Sequence, residues 1–167
     1  MMPANPIQGR VLGFHPTARG FGWVVFEGPF RPIDWGLVSA RKDKNATCLK
    51  RLKRLLTRFA PETLVLEAYD RETTRRARRI ARLGVRARTL ADGQGIETAV
   101  YTRAEIREAF AEVGATTRRD IAEAVARHLD AFRHRLPPRR KPWESEDARE
   151  ALFAAAAVVL THQRSGR

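Results

Sequence analysis

The sequence of 167 residues holds a single cysteine, Cys48, so neither an internal disulfide nor a paired-cysteine metal knuckle can form within it. That scarcity suits a reducing, cytoplasmic setting. Long apolar runs are lacking as well. The longest, Ala151 to Leu160, falls far short of the ~20 residues that span a bilayer, and the first ten residues hold no apolar core of signal-peptide length. Neither membrane insertion nor secretion is expected. No P-loop, no G-x-G-x-x-G fingerprint and no G-x-S-x-G elbow occurs, which leaves NTPase, dinucleotide-binding and hydrolase-elbow readings without support. Acidic residues are few: 19 Asp+Glu stand against 32 Lys+Arg, a formal charge of +13 with an isoelectric point near 11.3. Lysine is scarce within that excess, at five residues. GC-rich coding accounts for arginine over lysine but not for the thirteen surplus charges, since Asp and Glu were equally open to it. A polyanion is the expected partner, and arginine's planar fork suits phosphate.

What remains is an ordinary globular composition, 43% apolar with a mean hydropathy of −0.43, enough for one core and one domain. The reading is a single domain over residues 10–163, with short tails at 1–9 and 164–167. Two alternating apolar runs, Arg10 to Phe14 and Phe21 to Glu27, flank a short connection and read as an antiparallel pair. Asp34 to Ser39 supplies a third strand. From Asn45 to Phe59, Leu49, Leu52, Leu55, Leu56 and Phe59 recur at helical spacing and predict an amphipathic helix ended by Pro61. Thr63-Leu64-Val65-Leu66 is uninterrupted and apolar, as in a strand covered on both faces, and it stops at Glu67. A helix between strands makes this fourth strand parallel to an earlier one. Thr98 to Tyr101 reads as a fifth strand. Two helices follow with capping-box starts, Thr102…Glu105 and Thr117…Asp120. A proline-rich basic loop spans Arg133 to Trp143, and a last helix runs from Ser145 to His162. The predicted class is α/β: a five-stranded mixed sheet, three strands in an antiparallel meander and two parallel, flanked by helices.

In such sheets, sites gather beyond the carboxyl ends of strands where the connection pattern changes. His15, placed just past the first strand, and Glu67, just past the fourth, would meet there if those strands are neighbours. Asp147 and Glu150 lie three apart at the start of the final helix and hence on one face. Crowded carboxylates favour a hard divalent cation, Mg²⁺ or Mn²⁺, the usual agents of phosphodiester cleavage. Acids such as Glu144, Glu146, Asp147 and Glu150 in a first helical turn also stabilise the helix dipole without any metal. Residues 71–88 carry eight arginines, which repel one another unless an anion offsets them. Arg71, Arg75, Arg76, Arg78, Arg79, Arg82 and Arg86 are therefore candidate phosphate contacts, joined by Arg118 and Arg119 at a helix start and by Arg139, Arg140 and Lys141 in the basic loop. His128, His134 and His162 show no mutual zinc spacing.

The segment Val11 to Trp23, the apolar strand Leu64-Val65-Leu66-Glu67, and Asp147-Ala148-Arg149-Glu150 ahead of an alanine-rich helix resemble, in order and spacing, the motifs of RuvC-type Holliday-junction resolvases. The resemblance runs from Arg10 to His162. It implies an RNase H-like fold and a homodimer that binds branched, four-way DNA, cuts it with two Mg²⁺ or Mn²⁺ ions and works with a branch-migration motor. It further implies metal-ligand roles for Glu67, Asp147 and Glu150, with DNA held by the basic middle helix. Where the family pattern has Asp on the first strand, this sequence has His15, which would ligate the metal or orient the attacking water. A neutral imidazole offers one lone pair where a carboxylate can bridge two cations. Two readings follow: a metal-dependent endodeoxyribonuclease, and a protein that keeps the fold and charge and binds branched nucleic acid without cutting. An RNA-directed relative is a third, since phosphate contacts carry little base information.

Overall fold

The computed structural model of the chain describes residues 6–68 and 75–166. Its elements are β1 (Ile7–Pro16), β2 (Gly20–Glu27), β3 (Pro32–Ser39), α1 (Lys44–Phe59), β4 (Pro61–Glu67), α2 (Arg75–Gly93), β5 (Glu97–Tyr101), α3 (Arg103–Phe110), α4 (Arg118–His128) and α5 (Glu150–Arg164). The strands form one sheet in the order β3-β2-β1-β4-β5. β1 and β3 pair with β2 antiparallel, and β4 pairs in parallel with β1 and β5. The expected mixed five-stranded sheet is thus present.

Helices cover both faces. On one, Leu12, Phe14, Leu64 and Leu66 pack with Cys48, Leu52 and Leu56 of α1 and Leu83, Ala87 and Ala91 of α2. On the other, Val11, Val24 and Val65 pack with α3, α4 and α5. Adjacent residues of β1 and β4 therefore serve opposite layers, which is why β4 reads as a continuous apolar run. α5 is the central helix of its layer, with 11 of its 15 residues buried. It comes close to the sheet because β1 and β2 offer glycines there. A Cβ on Gly13 would collide with the Ala155 carbonyl, and one on Gly22 with the backbone and Cβ of Ala151.

Boundaries depart from the sequence reading in three informative places. β1 begins at Ile7, whose N–H donates to Ala60 O, so the N-terminal tail is shorter than nine residues. The ladder with β4 is irregular between Ile7 and Val11, where Gly9 takes a φ of 84° that favours glycine. His15 lies within β1 rather than past its end. The final helix starts at Glu150, not Ser145, because the Asp147 carboxylate accepts a hydrogen bond from Arg149 N at 2.9 Å and draws the chain into a turn. Asp147 and Glu150 consequently do not share a helical face. Both expected capping boxes are formed, Thr102 with Glu105 and Thr117 with Asp120.

Candidate active site and nucleic-acid interface

The parallel register brings His15 and Glu67 together. Phe14 pairs with Leu66, so the next residue on each strand, His15 and Glu67, stands at the same level and faces the layer that contains α5. Both are under a tenth exposed. Burial first, and then the charges of Arg118 and Arg103, hold the His15 imidazole down to a pKa of about 3. It is therefore a neutral ring at physiological pH. Glu67 has Arg118 as an ion-pair partner at a long 3.9 Å.

Glu67 opens into a small cavity of about 40 Å³, whose other lining residues include Arg103, Arg118, Arg119, Glu146 and Glu150. Arg103, Arg118 and Glu150 are the first residues of α3, α4 and α5. Three helix N-termini thus meet at one cavity, and each contributes the partial positive charge of its unpaired N–H groups. Such a convergence favours an anion such as a phosphate.

The acids divide between two neighbouring hollows. Glu67 and Glu150 line the first. His15 and Asp147 line a second, of about 330 Å³, with Thr17, Arg19 and Lys44. Glu146 lines both. Burial, followed by a hydrogen bond and charge repulsion from Glu146, raises Glu150 to a pKa of about 7. Asp147 is the opposite case. Side-chain and backbone hydrogen bonds from Arg149 bring it down to about 2, with Arg149 Nε at 3.0 Å and Nη2 at 2.9 Å from its oxygens. Glu146, Arg103 and this division of the acids were not legible beforehand. The usable signal was the pair of capping boxes, which fixes where α3 and α4 begin.

The oxygen donors of Glu67, Glu146 and Glu150 have the chemistry that a hard cation takes. They are not gathered around one point: among the described residues no three His, Cys, Asp or Glu side chains stand close enough together to hold a metal ion. The donor set suits a divalent ion, provided that its arrival replaces the Glu146–Glu150 hydrogen bond. His15, by contrast, cannot bridge two ions.

The basic residues are differently employed. On α2, Arg78, Arg82 and Arg86 are exposed. Arg79 is half-buried, donating to Ala18 O at 3.0 Å and to Asn45 Oδ1 at 3.4 Å, so it ties α2 to α1 and to the β1–β2 turn. Arg75 and Arg76 begin the helix, whereas Arg71 lies outside the described residues. Arg119 is also internal, donating to Glu123 at 3.1 Å and to Pro137 O at 2.6 Å, and Arg139 reaches the same Glu123 at 2.8 Å. Arg140 and Lys141 are exposed, and Arg140 donates to Glu144 O.

No protein-family model matches the sequence, and no curated protein does. Solved structures do match in fold. The Thermus thermophilus RuvC in complex with Holliday junction substrate aligns at a TM-score of 0.73 and 20% identity, over 96% of both chains. A second structure of Thermus thermophilus RuvC aligns at 0.68 and 21%, over 94% of this chain and 96% of that one. The yeast mitochondrial Holliday junction resolvase Ydc2 aligns at 0.61 and 11%, over 97% and 80%. At these identities the likeness is one of fold, and it extends over nearly the whole chain.

Proposed function

We propose that this protein is a RuvC-like, structure-selective nuclease that binds four-way DNA junctions and hydrolyses phosphodiesters with a divalent ion, Mg²⁺ or Mn²⁺. The observation that carries the reading is the meeting of buried Glu67 with Glu150 and three helix N-termini at one cavity of a RuvC-type fold. Glu67 and Glu150 are the residues assigned to hold the ion, with Asp147 and His15 at the adjoining hollow. When bound, the ion supplies polarisation of a phosphoryl oxygen and acidification of water. The chain's own contribution is to seat the phosphate against the N-termini of α3 and α4 and to keep His15 neutral beside it, able to accept a hydrogen bond from water or donate one to it. Exposed Arg78, Arg82 and Arg86 then hold the flanking backbone by charge. A homodimer fits a four-way substrate by symmetry, and a branch-migration motor remains the expected partner.

A specific observation favours the second reading, a branched-DNA binder without cleavage: the acids are held apart, and the first-strand position is an imidazole under two arginine charges. Cleavage of synthetic four-way junctions in Mg²⁺ or Mn²⁺ separates the two. Cutting by the wild type that is lost in Glu67→Gln and Glu150→Gln supports the nuclease. Tight binding without cutting in either metal, with cutting appearing in His15→Asp, establishes the binder instead.

A further inference from the structure

Two of the three tryptophans pack into the core and one does not. Trp23 is buried against Phe59, and Trp35 meets Phe132 edge to face with ring centroids 5.2 Å apart. Trp143 is 77% exposed, the most exposed large apolar side chain among the described residues, although tryptophan is on average a well-buried residue. Its surroundings are basic. It closes the loop that began at Arg133, with Arg140 and Lys141 exposed just ahead of it. The backbone that presents it is fixed at stem and tip. At the stem, Arg119 donates to Pro137 O at 2.6 Å and Arg139 pairs with Glu123 at 2.8 Å, which ties the loop to α4. At the tip, Glu144 N–H donates to Lys141 O at 2.9 Å and Arg140 donates to Glu144 O at 3.1 Å. These bonds close a four-residue turn with Pro142 in its second position, where proline is favoured. The indole is thus held out to solvent by a braced turn.

Resting on the reading that the Glu67 cavity seats a backbone phosphate of branched DNA, we infer that Trp143 is the stacking platform for an unpaired base near that phosphate, with Arg140 and Lys141 holding the strand that carries it. Three observations support this. Trp143 stands three residues before Glu146, which lines the cavity, so their Cα atoms lie within about 11 Å, roughly three stacked nucleotides along a strand. Arg140 belongs to both places, since it donates to the turn and its charge bears on Glu150. Lys141 Nζ lies 5.4 Å from the centre of the indole, a cation–π contact that occupies one face and leaves the other to a planar ligand. A flat apolar ring flanked by cations suits a nucleobase attached to phosphate, and single-strand binding surfaces combine stacking aromatics with basic grooves in this way. Within continuous duplex the faces of each base are covered by its neighbours. A base at a branch point, in a flap or in a single strand can offer one, so the platform discriminates by DNA structure and not by sequence. The arginines of α2 position a strand through its phosphates without reading whether its bases are paired.

The test measures binding apart from cleavage, by fluorescence anisotropy in EDTA. The probes are a single strand, the same strand built of abasic sites, and a paired duplex of equal length. The wild type is expected to prefer the strand that carries bases over its abasic counterpart. Trp143→Ala should remove that preference, weakening the base-bearing strand by about 5- to 150-fold and leaving the other two probes within about two-fold. The dependence of log K on log salt should not change, because a stacked base releases no counterion, and Trp143→Phe should keep most of the preference. The melting temperature of Trp143→Ala should stay within a degree or two of the wild type, as for other surface positions. A wild type indifferent to bases, an equal loss on all three probes, or a Trp143→Ala protein with wild-type preference overturns the inference. So does a variant whose DNA affinity is intact but whose sedimentation shifts from dimer to monomer, which assigns the indole to a contact between copies of the chain. If the wild type prefers bases but cuts no four-way junction in Mg²⁺ or Mn²⁺, the nuclease reading alone fails. If it cuts junctions while Trp143→Ala keeps the preference, the platform alone fails.

Discussion

His15 and Glu67 stand side by side on adjacent parallel strands, each one residue beyond the Phe14–Leu66 pair, and both are buried. A protonated imidazole there would face Arg118 and Arg103 with little water, so the ring stays neutral until the pH falls to about 3. The unfolded chain takes up that proton near 6.5. His15 therefore gives its full contribution to stability above pH 6.5, and that contribution is lost progressively as the pH falls from there toward 3. Side-chain ¹⁵N NMR of the folded protein is expected to show no titration of His15 between pH 5 and 8. A midpoint above 5 would mean that the ring is wetter or less surrounded by cations than the fold places it.

Glu150 shifts the other way. Its carboxyl is raised from 4.5 to about 7, first by burial and then by Glu146, so the folded protein holds a proton that the unfolded chain has already released. The associated stability is fully present below pH 4.5 and is lost as the pH rises through about 7. The melting temperature of the wild type should decline across that window more steeply than that of Glu150→Gln, which keeps a neutral side chain throughout. Mn²⁺ should reverse the trend, because ion binding favours the ionised carboxylate. Parallel pH profiles for the two proteins would mean that Glu150 titrates as an ordinary surface acid.

Much of the scaffold was legible in the order of residues. Leu64 to Leu66 fill both layers in alternation, which a strand buried on two faces must do, and Thr102 and Thr117 mark helix starts because their side chains satisfy backbone N–H groups locally. Local rules gave way where long-range contacts decide. Glu144 to Asp147 look like a first helical turn, yet Asp147 binds the N–H of Arg149 and keeps the segment irregular. Arg79 looked like one more cation for DNA, but the approach of α2 to the β1–β2 turn makes it a bond to Ala18 O. That the starts of α3, α4 and α5 meet at Glu67 depends on how three loops return across the sheet, and periodicity holds no record of that.

This difference among the α2 arginines gives a third expectation. Arg82 and Arg86 are exposed, so Arg82→Glu/Arg86→Glu should weaken junction binding equally for all sequences and flatten the dependence of log K on log salt, by roughly one unit of slope per lost phosphate contact. The melting temperature should stay within a degree or two, as is usual for surface positions. Arg79→Glu should lower both binding and the melting temperature, since it leaves the Ala18 carbonyl with one donor fewer. Fluorescence anisotropy at several salt concentrations measures the slope. An unaltered slope in the double variant would move the DNA path off α2.

The contact between α5 and the sheet tests the frame that holds the site. Gly13 and Gly22 let α5 lie directly on β1 and β2, and a methyl group at either position meets Ala155 or Ala151 backbone with no flexible side chain to give way. Overpacking of this kind costs on the order of 1–3 kcal/mol, and for a domain of this size each kcal/mol lowers the melting temperature by about 2–4 °C. Gly13→Ala should therefore melt several degrees below the wild type, and Gly93→Ala, with nothing within 4 Å of the new atom, should not. Because Glu150 begins α5 while Glu67 ends β4, lifting the helix also widens the gap between the two acids. Gly13→Ala is thus expected to weaken Mn²⁺ binding even well below its melting temperature. Unchanged ion affinity in a destabilised Gly13→Ala protein would show that the acids are positioned by the loop before α5 and not by the seating of the helix.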